Sequence, residues 1–234
     1  MTKTGSLYSQ VMEKIRQKII SGEYPINSKL PNEFALCEQF GVSRVTLRKA
    51  IKGLVKDGLV EKVQGVGTFV RKPQTVRRIV KSSRVESFSK TAKKEGFNPS
   101  AKTIEIKEVI TPDDLKDVLE TERSLMIERV HLIEDDPVML ECNYFPLPKF
   151  GELRNEDLTL SLYQVLHNKY GIKKLSSSDV VISIALANYN EAKYLEKSLG
   201  FPLLMLKATV VDEKGNIVHV GRQYIDSNRY EFHI

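Results

Sequence analysis

The sequence contains few of the residues that form disulfides, bind metals or cross membranes. Among its 234 residues there is no tryptophan, and there are only two cysteines, Cys37 and Cys142. Neither belongs to a C-x-x-C motif and no histidine stands at metal-ligand spacing from them, so no metal site is expected. Two isolated thiols are typical of a reduced cytosolic protein rather than of a disulfide-bonded secreted domain.

Long apolar runs are also missing. No stretch approaches the roughly 18 residues that a membrane-spanning helix needs, and no leader pattern precedes the first amphipathic segment. Internal repeats, low-complexity segments and cofactor-binding motifs are absent as well, so no cofactor is expected. We therefore predict a cytoplasmic protein that does not associate with a membrane.

Charge is distributed unevenly along the chain. Residues 1–84 carry 17 Lys and Arg against 6 Asp and Glu, whereas the remaining residues carry 19 against 24. A basic N-terminal part joined to a mildly acidic remainder is expected if only the N-terminal part contacts phosphate. The length allows two domains that each bury a core.

The most informative stretch is a helix predicted over residues 43–56. Its apolar residues recur at i, i+3, i+4 and i+7, which places them on one face: Leu47, Ala50, Ile51 and Leu54. Ser43 can cap the helix, and Asp57-Gly58 ends it. The opposite side is entirely cationic, with Arg44, Arg48, Lys49, Lys52 and Lys56. Such a face suits a polyanion, although a solvated surface helix explains this helix alone equally well.

The neighbouring segments favour nucleic-acid binding. A helix is predicted over 7–21, and a shorter one from Asn32 to Phe40 is followed by a turn at Gly41-Val42. Beyond the cationic helix, the β-prone runs 59–62 and 68–71 flank a glycine-rich tip that contains Gly65 and Gly67. Three helices followed by a glycine-tipped hairpin form a winged helix-turn-helix.

These motifs resemble the DNA-binding domain of the GntR family of bacterial transcription regulators. The resemblance rests on LP-x-E, SR-x-T-x-R and G-x-GTFV, which occur at the family's spacing over about residues 5–72. It implies operator DNA as a partner, contacted by Arg44, Thr46, Arg48, Lys49, Lys52, Gly65, Gly67 and Thr68. Phe34 stands where the family often has an arginine that contacts DNA.

Residues 85–234 are predicted to form a second domain. Several β-prone runs interspersed with short helical segments indicate an α+β domain built on an antiparallel sheet. Residues 73–84 lack a sustained period and carry several cationic side chains, which is typical of a linker. The predicted organisation is thus a winged helix-turn-helix over 1–72, a linker over 73–84 and an effector-binding and dimerisation domain over 85–234.

A candidate ligand site lies on the strand predicted over 126–133. Arg129 and His131 share one face of that strand, which is otherwise apolar, and an unpaired buried charge there would be very costly. One alternative is an internal ion pair between Arg129 and Glu141; the other is a bidentate site for a carboxylate or phosphate. A two-residue turn at Asp135-Asp136 would place Glu141 on the opposite face of the sheet from Arg129. A three-residue loop centred on Asp135 would instead place both residues on the same face.

The order of segments in this part resembles the UTRA effector-binding domain of the HutC branch of GntR regulators. The stretches VESFS, IERVH, PVMLE, LSLY and DSNRYEF carry the resemblance over about residues 80–233. It implies a small anionic effector held by Ser87, Phe88, Ser89, Arg129, His131, Glu141, Ser161, Tyr163 and Tyr224, and a homodimer formed through this domain. Relatives that bind sugar phosphates often have other residues at the positions of His131, Ile225 and Asp226. The effector therefore need not be a sugar phosphate, and a carboxylate is the alternative.

The resemblance implies a regulator, most simply a repressor that a small anionic metabolite releases from its operator. An activator of the same architecture is the alternative within DNA binding. The UTRA fold resembles that of chorismate lyase, so an enzyme acting on a small anion was also considered. The sequence has no G-x-S-x-G or H-E-x-x-H motif, and His167, His219 and His233 are scattered, which disfavours catalysis.

Overall fold

The computed structural model describes residues 6–71, 76–79, 87–159 and 161–233. Most of the linker predicted over 73–84 lies outside the described residues. The chain divides into two compact units: residues 1–74 with 196–201, and residues 75–195 with 202–234. None of the helices in the described ranges combines the length and the apolar composition needed to cross a membrane.

The first unit is a three-helix domain with a β-hairpin. Its helices are α1 (Leu7–Ile20), α2 (Glu33–Phe40) and α3 (Arg44–Lys56), and its antiparallel strands are β1 (Val60–Val63) and β2 (Gly67–Val70). The predicted apolar face of α3 is buried, and Leu47 and Leu54 pack with Ile15 and Leu36 in one core. The hydroxyl of Ser43 accepts the Thr46 N–H and thereby caps α3 as predicted.

The second unit is built on a six-stranded antiparallel sheet in the order β4-β5-β6-β9-β8-β7. Its strands are β4 (Pro99–Ile110), β5 (Arg123–Ile133), β6 (Asp136–Pro146), β7 (Ser176–Leu186), β8 (Pro202–Val211) and β9 (Ile217–Asp226). Its helices are α4 (Phe88–Lys94), α5 (Asp113–Leu119), α6 (Leu162–Tyr170) and α7 (Tyr189–Tyr194), with a 3-10 turn at Gly151–Asn155. The predicted class, α+β with an antiparallel sheet, is confirmed.

A short strand occurs within the segment that the sequence analysis treats as a linker. Strand β3 (Val76–Ile79) pairs in parallel with β10 (Tyr230–His233), and the two form a separate sheet. The partner strand lies about 150 positions further along the chain, and no local sequence period could have revealed this pairing.

Two helix starts in the second unit are held by different residues. Asn188 caps α7, and it forms a reciprocal capping box with Glu191. At α5 the cap position is held by Pro112, and the hydroxyl of Thr111 lies 2.8 Å from that of Ser124.

The two faces of the large sheet are covered by different helices. On one face, Phe88 and Ala92 of α4 pack over Ile133, Met139 and Ile225, while Leu162 and Leu166 of α6 pack over Ile127 and Phe145. On the other face, Leu115 and Leu119 of α5 pack over Met126 and Val220. Helices α4 and α6 therefore begin over the same face of the sheet, and the polar residues between their two apolar clusters form the candidate site.

Candidate functional site

The predicted DNA-binding residues lie on the exposed side of α3 and on the hairpin. Arg44, Arg48, Lys49 and Lys52 are all exposed, and the hydroxyl of Thr46 lies 3.0 Å from that of Ser43 at the start of the helix. The ammonium of Lys49 lies 4.2 Å above the ring of Tyr8 on α1, a cation–π contact within the same unit. The start of α3 thus presents cations next to polar hydroxyls, a combination suited to phosphate and base edges.

Arg48 pairs with a carboxylate of the same unit. Its Nε donates to Glu33 Oε2 at 2.9 Å, and Lys62 on β1 lies 3.6 Å from the other oxygen of Glu33. The hydrogen bond from Arg48 lowers the pKa of Glu33. Phe34, which replaces the arginine frequent in the family, is 59% exposed.

The hairpin tip uses glycine because of its backbone conformation. Gly65 and Gly67 both have positive φ, at 74° and 146°, which strains most other residues. A Cβ added to Gly67 would lie 2.5 Å from Cε of Lys29, a contact that the flexible lysine side chain can avoid by moving. Thr68 follows on β2, where its carbonyl accepts the N–H of Leu30.

In the second unit, eight of the nine residues predicted to bind an effector line one cavity. These are Ser87, Phe88, Ser89, Arg129, His131, Glu141, Ser161 and Tyr163. Ser87 and Ser161 cap α4 and α6, and their hydroxyls accept the N–H groups of Lys90 and Gln164. The nine-residue helix α6 begins at the cavity, so its partly positive N-terminus lies beside Arg129.

Tyr224, the ninth predicted residue, does not line this cavity. Tyr224 pairs with Leu140 on β6, whereas its neighbour Gln223 pairs with Glu141. Because successive side chains point to opposite faces of a sheet, Gln223 lies on the cavity side and Tyr224 on the other. Gln223 and Leu162 line the cavity although neither was predicted to, and the strand register is the signal that identifies Gln223.

The β5–β6 hairpin brings Arg129 and Glu141 directly opposite each other. Neither loop considered from the sequence is correct, because the turn consists of Glu134 and Asp135, both with positive φ. A register shift between His131 and Leu132 then moves the pairing by one residue. This register shift places Arg129 and Glu141 on the same face of the sheet, which is the arrangement that the three-residue loop was expected to give.

Glu141 is the centre of a buried hydrogen-bonded cluster. Its Oε2 accepts from Arg129 Nη2 at 2.6 Å and from His131 Nε2 at 3.1 Å, and its Oε1 accepts from Gln223 Nε2 at 2.9 Å. The other terminal nitrogen of Arg129 donates to the carbonyl of Leu158 at 3.2 Å. Arg129, His131 and Glu141 are each no more than 5% exposed. The internal ion pair that the sequence analysis left open is therefore present.

The protonation of this cluster follows from its burial and charges. Burial alone would raise the pKa of Glu141, but the interactions with Arg129 and His131 together outweigh that effect and hold the pKa well below its usual range. Burial lowers the pKa of His131, so its ring is neutral near pH 7. Since Nε2 donates to Glu141, Nδ1 is an acceptor; this atom and Nε of Arg129 have no partner among the described residues.

The cavity is narrow and has room for about one water molecule beside the buried cluster. The ring of Phe88 lies 4.8 Å from that of His131 and closes one side.

Comparison with known proteins identifies both parts of the chain. Residues 7–70 match the gntR family of bacterial regulatory proteins, and residues 94–231 match the UTRA domain. The transcriptional repressor NagR of Bacillus subtilis is 29% identical over 97% of this chain and 93% of its own length. The histidine utilization repressor of Pseudomonas aeruginosa is also 29% identical, over 96% of this chain and 91% of its own length.

Solved structures share the fold. PhnF from Mycobacterium smegmatis superposes with a TM-score of 0.61 at 24% identity, over 95% of this chain and 96% of its own. The possible transcriptional regulator YydK from Bacillus subtilis gives a TM-score of 0.55 at 24% identity, over 98% and 99%. Because the UTRA match alone covers more than half of the sequence, the chain belongs to the GntR family of transcription regulators, in its HutC branch with a UTRA domain, and not to a family of enzymes.

Proposed function

We propose that the chain is a cytoplasmic transcriptional repressor that binds a palindromic operator as a homodimer and is released by a small anionic metabolite. The observation that carries the proposal is the cavity in which Ser87, Ser89, Arg129 and Ser161 converge. Relatives named as repressors, among them NagR and the histidine utilization repressor, favour repression over activation.

The anionic effector class follows from the donors around the cavity. Arg129 supplies a fixed guanidinium, the two cap serines supply hydroxyls, and α6 begins there. A carboxylate or phosphate would compete with Glu141 for Arg129, and Nε of Arg129 is a donor available to it. Glu141 would remain hydrogen-bonded to His131 and Gln223.

The path of the chain would connect effector binding in the cavity to release from DNA. The narrow cavity must widen for a metabolite, and the segment 87–89 directly follows residues 80–86, which lead back to the DNA-binding unit. A ligand that favours one position of this segment would bias the separation of the two DNA-binding units of a dimer. Half-sites lie about 34–36 Å apart for successive helical turns, so a changed separation weakens binding without altering base contacts.

Selection from random DNA with the full-length protein tests the first half of the proposal. A palindromic consensus is expected, and Arg48→Ala should weaken binding to it by about 1–3 kcal/mol and relax base preference. Lys14→Ala, which removes an exposed charge on α1, is the matched control and should bind like the wild type. Equal affinity of Arg48→Ala and wild type would refute the assignment of α3.

Titrating the protein–DNA complex with glucose 6-phosphate, inorganic phosphate and histidine, each as a separate probe, tests the second half. An effector should reduce operator affinity about 5–150-fold. Tyr163→Phe, which removes a hydroxyl that lines the cavity, should weaken that response, whereas Tyr170→Phe on the same helix should not. Identical responses of both variants to an active probe would place the effector elsewhere.

A further inference from the structure

Two buried nitrogens at the effector cavity have no hydrogen-bond partner among the described residues. They are Nδ1 of His131 and Nε of Arg129, and both residues line the cavity. Buried polar atoms in native proteins nearly always have a partner, so these two atoms point to a ligand. Nε of Arg129 is a donor and suits an anion. Nδ1 of the neutral His131 ring is an acceptor, because Nε2 carries the proton that it donates to Glu141.

The charges of this buried cluster balance only as long as no anion is bound. Arg129 carries one positive charge and Glu141 one negative charge, and burial keeps the His131 ring neutral by lowering its pKa. All three residues are no more than 5% exposed. An anion bound to Arg129 would therefore leave the cluster with a net negative charge, which is costly in a buried site unless a further cation is supplied.

The surroundings of His131 leave its own ring as the group that can supply this cation. The ionisable side chains among the described lining residues are Arg129, His131, Glu141 and Tyr163. The neighbours on β4, β6 and α4 do not titrate: Ala101, Met139 and Phe88. Burial lowers the pKa of the ring, Glu141 opposes that effect, and Arg129 adds to it. An anion that neutralises Arg129 removes the last contribution and adds a negative charge, so both changes favour a proton on His131.

We propose that the cavity binds its anionic effector together with one proton, which is taken from solvent and held at Nδ1 of His131. Nε2 continues to donate to Glu141, and the new N–H at Nδ1 donates to the anion, as Nε of Arg129 does. The guanidinium and the imidazolium then offset the effector and Glu141. This inference rests on the proposed effector cavity and adds regulation by pH, since acidification strengthens effector binding and the release from DNA that follows from it.

Calorimetric titration of the full-length protein with sulfate tests the proposal, because sulfate itself does not titrate near neutral pH. In buffers of different ionisation enthalpy, the wild type should take up about one proton per sulfate at pH 7, and its affinity should rise about tenfold from pH 7.5 to pH 6.5. His131→Gln can still donate to Glu141 but cannot bind the proton, so its affinity should change less than about twofold over that range. His219→Gln removes another buried histidine of the same sheet, 2% exposed, and should behave like the wild type.

Nitrogen NMR of the wild-type imidazole rings at pH 7 makes the test independent of any variant. On addition of sulfate, the His131 signals should move from the neutral to the doubly protonated form, whereas those of His219 should stay neutral. A His131 ring that stays neutral in the complex, or proton uptake that persists in His131→Gln, would overturn the proposal and leave the anion cavity standing. Failure of sulfate to bind the wild type at any of these pH values would instead refute the cavity as an anion site, and with it the proposed effector class.

Discussion

The DNA-binding face and the effector cavity use arginine in opposite ways. Arg48 is 65% exposed and its partner Glu33 36%, so their ion pair is surrounded by water. Arg129 and Glu141 are at most 7% exposed, and the second ion pair is almost completely removed from water. Exposed pairs contribute little to stability and separate easily, whereas breaking a buried pair leaves a costly uncompensated charge. The first arrangement allows the exchange of partners that the proposed contact between Arg48 and DNA requires, and the second keeps Arg129 in a defined geometry.

The largest effect is expected from breaking the buried pair on one side only. Arg129→Met leaves the Glu141 carboxylate buried without its guanidinium, and should lower the free energy of unfolding by about 3–5 kcal/mol. The double variant Arg129→Met/Glu141→Leu removes both charges and should recover most of that loss. Urea denaturation at pH 7 measures both. A loss below about 1 kcal/mol for the single variant would mean that water reaches Glu141.

The same comparison shows what the sequence could predict. The predicted DNA-binding face depends on contiguous residues, and both its cap at Ser43 and its buried apolar stripe agree with the prediction. The cavity combines residues from Ser87 to Gln223, and its geometry depends on strand register. The irregularity beside His131 and the parallel pairing of β3 with β10 involve long-range contacts. The family resemblance supplied eight lining residues, but it could not distinguish Gln223 from Tyr224.

The second prediction concerns a histidine in the same unit as the cavity. His219 is 2% exposed, and burial lowers the pKa of its ring to about 4. The ring is therefore neutral in the folded protein, whereas in the unfolded chain it binds a proton below its ordinary pKa of about 6.5. Stability should fall as the pH drops through 6.5 towards 4, and this residue alone should account for about 2 kcal/mol between pH 7 and 5.

Comparing His219→Gln with His167→Gln isolates this contribution. His167 lies exposed on α6, with Nδ1 3.1 Å from the carbonyl of Ile172. Urea denaturation at pH 7 and pH 5 should show a loss on acidification that is smaller by about 2 kcal/mol in His219→Gln than in the wild type. His167→Gln should retain most of the wild-type loss. An unchanged loss in His219→Gln would mean that the ring titrates normally in the folded protein.

The smallest effect on stability is expected at the exposed pair. Glu33→Gln removes the carboxylate that holds Arg48 at 2.9 Å and lies 3.6 Å from Lys62. The free energy of unfolding should change by less than about 1 kcal/mol, because the pair is solvated. Affinity for DNA should nevertheless rise about two- to five-fold at low salt. Arg48 would no longer have to leave the Glu33 carboxylate before it binds a phosphate, and the negative charge of Glu33, which repels DNA, would be removed. Glu13→Gln, which removes the same charge from α1, is the control in fluorescence anisotropy with labelled duplex DNA. If both variants strengthen binding equally, net charge alone explains the gain, and Glu33 does not compete with DNA for Arg48.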